Sequence, residues 1–188
     1  MSFFSNLKKE FKNVIKGAAD AASKSKVITF SDIPQTLDAL KALPQADMKD
    51  EFGVAALCVA ALCVYPSDPD ACLEMLEYLN GPNDLSAYAK QFLKDRFSDK
   101  DYVPRSYFKG ATPENGYVPD EPISITVSSN PYSYQEDNYC TLYVVSGGAD
   151  SPRQISLRKK PSTGEWFVRE YAGLLAGIRI PADQDPWA

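Results

Sequence analysis

The chain has 188 residues, 44% of them hydrophobic and 24% charged, which is ordinary for a globular protein large enough to bury a core. Its net charge of -5 argues against a general nucleic-acid binder, because such proteins usually carry a basic surplus. The absence of histidine from the sequence excludes histidine-based catalytic triads and nearly all transition-metal sites. We therefore expect no metal and no cofactor.

The four cysteines favour a reducing compartment. Cys58 and Cys63 lie in an apolar run, and neither Cys72 nor Cys140 forms a short CxxC pair with another cysteine. Buried free thiols in a cytoplasmic protein are the expected outcome. A Cys63–Cys72 disulfide across the turn at 66–70 is the alternative.

Residues 1–25 are predicted to form an amphipathic basic helix that is separate from the main domain. At about 100° per residue its apolar side chains share one side and its lysines fill the other. The apolar docking face consists of Phe3, Phe4, Leu7, Phe11, Val14 and Ile15. Such a helix either packs on a protein surface or lies on an anionic membrane. The scattered lysines and the lack of a continuous apolar core argue against a signal peptide.

Residues 26–188 are predicted to form a single α+β domain, after a polar hinge at 22–26. Its helical part, residues 31–98, begins with a helix over 33–43. The central helix, Phe52–Tyr65, has fourteen residues and no charge, so we expect it to be buried on every side. It is too short to span a bilayer, which needs about 20 residues. Two further helices are predicted over 71–79 and 85–97, each beginning after a capping residue and a turn.

The second half of the domain is predicted to be a four-stranded antiparallel meander over 123–171, with one face against the helices. Strands are expected at 123–129, 140–146, 153–159 and 165–171, where β-branched and aromatic residues alternate with polar ones. A long proline- and tyrosine-containing loop, 99–122, connects the two halves. A C-terminal arm, 172–188, follows the meander and either adds a last strand at 174–180 or stays extended.

Four local patterns are candidates for binding or chemistry. In the loop, Arg105, Tyr107 and Phe108 are residue types common at interfaces, although filling the space between helices and sheet is an equal alternative. Tyr132 and Tyr134 flank the acidic pair at 136–137, as in a sugar-binding groove, or belong to a solvated loop tip.

The other two patterns concern anions. Arg153, Arg158 and Arg169 lie on neighbouring strands and either form an anion-binding patch or pair with local acids such as Glu165 and Glu170. The stretch SGGAD at 146–150 offers an anion-binding nest or a hairpin turn.

Several longer stretches carry a resemblance. At YVPRSYFKGATPENGY (102–117), NPYSY (130–134), SGGADSPR (146–153) and DPWA (185–188), the chain resembles a bacterial family known only as a domain of unknown function. The opening helix and FGVAALCVAALCVYP extend the likeness over nearly the whole chain. The resemblance implies a bacterial, cytoplasmic protein built as one unit. It implies no activity and gives no catalytic residue.

The functional hypothesis from these patterns is a non-enzymatic cytoplasmic binding or adaptor module. We expect its partner to be a protein, a second copy of the chain included. Arg105, Tyr107, Phe108, Tyr132 and Tyr134 are the predicted contact residues. One alternative is peripheral membrane association through the N-terminal helix, and another is a carboxylate-based enzyme on a sugar-like or phosphorylated substrate.

Overall fold

The computed structural model describes residues 23–82 and 84–187. The predicted N-terminal helix and its docking face, Phe3, Phe4, Leu7, Phe11, Val14 and Ile15, lie outside the described residues. That prediction therefore stays a prediction.

The described chain folds as an α+β domain with a five-stranded antiparallel sheet. The strands are β1 (Ser25–Thr29), β2 (Ser124–Ser128), β3 (Tyr139–Val144), β4 (Arg153–Lys160) and β5 (Glu165–Glu170), and they lie side by side in that order. The four predicted strands are present, but the sheet has a fifth. The predicted polar hinge at 22–26 is wrong for its last two residues. Ser25 and Lys26 belong to β1 and pair with Ser128 and Val127 of β2. The run VITF at 27–30 is apolar and β-branched, as strands often are, but its hydrogen-bonding partner lies about a hundred residues away, so the run alone did not show that a strand forms there.

Four α-helices precede β2 in the described residues: α1 (Leu37–Lys41), α2 (Glu51–Leu62), α3 (Pro69–Asn80) and α4 (Ala87–Phe97). The helix predicted over 33–43 is only five residues long, because Thr36 caps it and its hydroxyl accepts a hydrogen bond from the Ala39 N–H. Side chains of Asp68 and Ser86 cap α3 and α4 in the same way. No helix in the described part of the chain is long and apolar enough to cross a bilayer.

The centre of the fold is α2, whose residues from Phe52 to Leu62 are all buried. It contacts all five strands and packs against α3 as well. Alanines, valines and a glycine on its surface let these neighbours approach closely on every side, which explains why it has no polar face. The prediction of a helix buried all round is confirmed for residues 52–62, whereas the helix ends before the predicted Tyr65, and Cys63 and Tyr65 are only partly buried.

The sheet presents one apolar face to α2 and one largely polar face to the outside. Residues such as Leu142, Ile155 and Leu157 point into the core and are fully buried or nearly so. The alternate positions on β3 and β4 carry Tyr139, Thr141, Ser156 and Arg158, which are partly or fully exposed. This outer face supports the candidate site described below.

The loop over 99–122 forms part of the core. Tyr102, Tyr107, Phe108 and Tyr117 are each at most 2% exposed, and two short 3-10 helices, Pro104–Tyr107 and Pro113–Asn115, shape the backbone. The Tyr102 and Tyr117 rings stack with centroids 5.5 Å apart.

The same loop holds the C-terminal arm. The Tyr107 hydroxyl donates to the Leu174 carbonyl at 2.7 Å, and the Tyr117 hydroxyl donates to the Arg179 carbonyl at 2.5 Å. The arm forms 3-10 turns at Ala172–Leu175 and Ala182–Gln184 in place of the last strand suggested for 174–180.

Candidate functional site

The structure separates the predicted contact residues of the loop. Tyr107 and Phe108 are 2% exposed and fill the space between helices and sheet. Arg105 is partly exposed and pairs with Asp101 at 3.2 Å, one helical turn away. These three residues therefore do not share a surface.

The predicted tyrosines precede β3 and lie at the surface. Tyr132 is 70% exposed, whereas the Tyr134 hydroxyl donates a 2.7 Å hydrogen bond to the carboxylate of Glu51, in the first turn of α2. Burial, assisted by this hydrogen bond, raises the pKa of Tyr134. Glu136 and Asp137 are exposed in the same turn region. Tyr134 thus links the turn to the central helix, and Tyr132 remains available for contacts.

The SGGAD stretch does not form an anion-binding nest. The Gly147 N–H donates to the Ser106 carbonyl at 2.9 Å, and the Gly148 N–H donates to the Ser146 hydroxyl at 3.1 Å. Ser146 in turn donates to the hydroxyl of Ser106 at 2.8 Å. Because both glycine amides already have partners inside the fold, they are not free to bind an anion.

Of the three arginines in the predicted patch, Arg153 has a structural role. Its guanidinium donates to the carbonyls of Ala176 at 2.9 Å and Gly177 at 2.6 Å, which fastens the C-terminal arm to the start of β4. Arg158 and Arg169 lie further along the sheet. Arg153 is therefore separated from the other two arginines of the predicted patch, and only Arg158 and Arg169 are available to a ligand.

Arg158 and Arg169 meet over one aromatic ring on the outer face of the sheet. The guanidinium carbons lie 5.6 Å and 4.8 Å from the centroid of the Tyr139 ring. Cross-strand pairing explains the first contact, because Arg158 lies directly opposite Tyr139. Two cations at one ring are each stabilised by its quadrupole, but they repel each other.

A β-bulge explains the second contact. Leu157 lies opposite Val168, whereas Ser156 lies opposite Glu170, so Arg169 has no counterpart of its own on β4. Bulges redirect side chains and are frequent at binding sites. Here the bulge gives β5 an additional side chain, and its guanidinium reaches over Tyr139.

A cavity of about 450 Å³ lies beside these arginines, and four cationic residues are among those that line it. We call it the basic groove and define it by Arg158, Lys159, Lys160, Arg169 and Phe167. Asn80 and Pro82, at the end of α3, close one side, and its lining includes no carboxylate. Lys159 also lies 5.5 Å from the centroid of Trp166. In a chain of net charge -5, this is a local concentration of positive charge.

Within residues 23–82 and 84–187, the groove cations form no ion pair with a carboxylate. Among the described residues, neither Arg158 nor Arg169 forms an ion pair, and the acids suggested as their partners are engaged elsewhere. Glu165 accepts a hydrogen bond from the Thr163 hydroxyl at 2.6 Å, and Glu170 accepts one from the Ala172 N–H at 2.7 Å. The default prediction of local pairing is thus not met for these two arginines.

A second cavity, also of about 450 Å³, adjoins the basic groove and shares Asn80 and Arg169 with it. We call it the aromatic compartment and define it by Leu85, Tyr88, Phe92 and Tyr171; its lining also includes two acidic residues, Asp84 and Glu170. Tyr88 is 80% exposed, although it is a large aromatic residue. A smaller cavity, of about 160 Å³, lies between Tyr132 and Arg169. Arg169 is therefore the junction of three cavities, and cationic and aromatic surfaces meet there.

The cysteine thiols are poorly suited to act as nucleophiles or metal ligands. All four cysteines are free, including the Cys63 and Cys72 considered for a disulfide. Burial raises the pKa of Cys72 and Cys140 to about 12 and that of Cys58 and Cys63 further still. A thiol with a raised pKa is a poor nucleophile and metal ligand. Within the described residues, acids and cysteines nowhere gather in a group of three or more that would hold a metal ion.

Sequence reasoning identified Arg158 and Arg169 but missed Lys159, Lys160, Phe167 and Tyr139. The basic run at 158–160 was the available signal. It does not reveal by itself that β5 brings an arginine and a phenylalanine alongside, because this depends on strand register and on the bulge.

Comparison with known proteins gives a family but no activity. No curated protein and no solved structure matches the chain. A family model, described as a domain of unknown function, DUF6935, matches residues 32–182. The match covers the helices, the core loop and strands β2 to β5, together with the basic groove. The chain therefore belongs to the DUF6935 family.

Proposed function

We propose that this protein is a non-enzymatic binding module that recognises an acidic segment of a partner protein through the basic groove. The observation that carries the proposal is the pair of guanidiniums, Arg158 and Arg169, held at one tyrosine ring without a carboxylate partner in the described chain. Holding like charges together costs free energy, and an anion bound between them offsets that cost. Arginine guanidiniums suit carboxylates because their N–H groups match the two oxygens.

The surroundings favour binding over catalysis. The groove lining contributes cations, an asparagine, prolines and Phe167, but no carboxylate, histidine or thiol to act as a base or nucleophile. The acidic pair at 136–137, on which the enzyme alternative rests, is exposed at a turn. Binding of an acidic peptide uses both the cations and the apolar surface of the groove.

The test is fluorescence anisotropy with labelled poly-L-glutamate, compared between the wild-type chain and Arg158→Gln/Arg169→Gln. Glutamine keeps part of the aliphatic stem over Tyr139 and removes the charge. At about 1 kcal/mol for each exposed ion pair, the double substitution weakens binding by about 2 kcal/mol, or roughly 30-fold. Added salt weakens wild-type binding in the same direction, because it screens exposed charges.

Lys100→Ala/Lys109→Ala is the matched control, since it removes two exposed positive charges away from the groove. Its affinity for polyglutamate is expected to stay near that of wild type. If the two double variants bind equally well, attraction comes from overall charge and the groove is not the site. The cytoplasmic location and the membrane-docking role of residues 1–25 remain predictions beside this proposal.

A further inference from the structure

We infer that the basic groove receives the acidic, tryptophan-containing segment 181–187 of a second copy of this chain. The inference rests on the proposed function and names the partner. The segment reads Pro-Ala-Asp-Gln-Asp-Pro-Trp, with two carboxylates, no basic residue and one large aromatic side chain. Its charge is opposite to that of the groove, and its indole suits the aromatic surfaces beside it.

Trp187 is the strongest sign that this segment has a partner. Its side chain is 93% exposed, the highest value among the large hydrophobic residues of the described chain. Tryptophan carries more apolar surface than any other side chain and is enriched among residues that dominate binding energy. The backbone N–H of Trp187 donates to the Asp185 carboxylate at 2.9 Å, so a local turn brings the backbone of Trp187 next to an acid.

The groove offers complementary surfaces for both features. Four cationic residues and Phe167 line the basic groove. Through Arg169 the groove continues into the aromatic compartment, where Tyr88 is also highly exposed. Each cavity, at about 450 Å³, falls within the range of small-ligand sites and has room for an indole ring. Because Asp84 and Glu170 line the aromatic compartment, the carboxylates of the segment are placed at the arginines of the basic groove and its indole at the tyrosine side.

The segment cannot reach the groove of its own chain while it keeps its packing. It leaves the domain at the start of β4, where Arg153 binds the Gly177 carbonyl and the Arg179 N–H donates to the Gly148 carbonyl at 2.8 Å. Its turn at Ala182–Gln184 packs on Pro113–Asn115. The groove lies at the other end of β4, near Lys160, about 23 Å away at about 3.3 Å per residue. The side chains of Asp183 and Trp187 stay exposed in this packed arrangement, so we place them in the groove of a second copy.

The resulting contact is head-to-tail, because one copy contributes the segment 181–187 and the other copy contributes the basic groove. Such a contact between two different surfaces builds a chain, a closed ring, or a two-fold dimer in which each copy gives its segment to the other. This geometry makes a specific prediction for mixtures of two variants, each of which retains one half of the contact.

The experiment measures solution mass by sedimentation velocity across a dilution series of the whole 188-residue chain. Wild type is expected to grow in mass with concentration. A groove variant, Arg158→Gln/Arg169→Gln, and a segment variant, Asp183→Asn/Asp185→Asn/Trp187→Ala, are each expected to stay monomeric. Asparagine at 185 retains a side-chain oxygen that accepts the hydrogen bond from the Trp187 backbone N–H, as the carboxylate does. The substituted side chains are largely exposed, so both variants are expected to fold.

An equimolar mixture of the two variants is the decisive sample. The intact segment of the groove variant enters the intact groove of the segment variant, and growth stops at a dimer because neither remaining half is functional. A mixture that stays monomeric while wild type associates overturns the head-to-tail contact. Wild type that stays monomeric throughout the series overturns it as well.

A labelled peptide of residues 181–187, blocked at both ends, separates this inference from the proposed function. It is expected to bind wild type at least tenfold more tightly than the groove variant, and to lose at least tenfold when Trp187 and both aspartates are replaced. If polyglutamate binds the groove and this peptide does not, the partner is another acidic segment and the self-association is refuted. If neither binds, the proposed function fails too.

Discussion

Replacing Gly147 with alanine tests how tightly the loops around β4 pack. A methyl group at Gly147 would overlap the carbonyl oxygen of Ala111 and lie 3.1 Å from its carbonyl carbon. Both obstructing atoms are backbone, so no side-chain rotation relieves the overlap. Moving Gly147 away weakens the hydrogen bond from its N–H to the Ser106 carbonyl.

The expected cost combines two terms. Overpacking costs about 2 kcal/mol and loss of the hydrogen bond about 1 kcal/mol, for a total of about 3 kcal/mol. For a chain of this size that corresponds to a fall in melting temperature of about 6–12 °C. Urea unfolding followed by circular dichroism gives the free energy of unfolding, and a thermal scan gives the melting temperature.

Gly116→Ala is the matched control for a glycine-to-alanine change. Gly116 has a φ of 65°, and a methyl group there would meet nothing within 4 Å. Only backbone strain is added, at about 1 kcal/mol. If Gly147→Ala unfolds with the same free energy as Gly116→Ala or wild type, the 146–148 turn does not pack on Ala111 as described.

Three further outcomes follow from burial. Leu57→Ala, in the fully buried α2, is expected to lower the free energy of unfolding by about 2–5 kcal/mol, whereas Tyr88→Ala, at an 80% exposed position, changes it by less than about 0.5 kcal/mol in the same urea experiment. The four cysteine thiols of the native protein are expected to react slowly with a disulfide reagent at neutral pH, whereas in urea-unfolded protein all four react rapidly. Fast reaction of all four thiols in the native protein would contradict the raised pKa values of the cysteines. Burial raises the pKa of Tyr117 to about 12 from an ordinary value of 10.0. The unfolded chain therefore ionises first, and the free energy of unfolding falls as pH rises from about 10 toward 12. Tyr117→Phe is expected to reduce that fall, and an unchanged dependence of the free energy of unfolding on pH would count against the burial of the hydroxyl.

Part of the candidate site was within reach of the sequence. The basic run at 158–160 and the arginine at 169 were visible in the sequence. The predicted strands placed Arg158 and Arg169 next to each other in the sheet, and the alternation of side chains allowed both to lie on one face. The loop residues Tyr107 and Phe108 were equally consistent with interface and core, because aromatic side chains serve both uses. Only packing against the Leu174 carbonyl and the sheet decided that they belong inside.

The sequence by itself determined the class of the fold. The uncharged run of α2 requires burial on all sides, and the alternation of apolar and polar residues along β2 to β5 requires a sheet with one covered face. Both follow because transfer of apolar surface out of water is favourable. Tertiary structure alone decided the fifth strand, the β-bulge and the meeting of Arg158 with Arg169 at Tyr139. These features depend on the register between segments far apart in the chain, and register is set by the packing of the whole sheet.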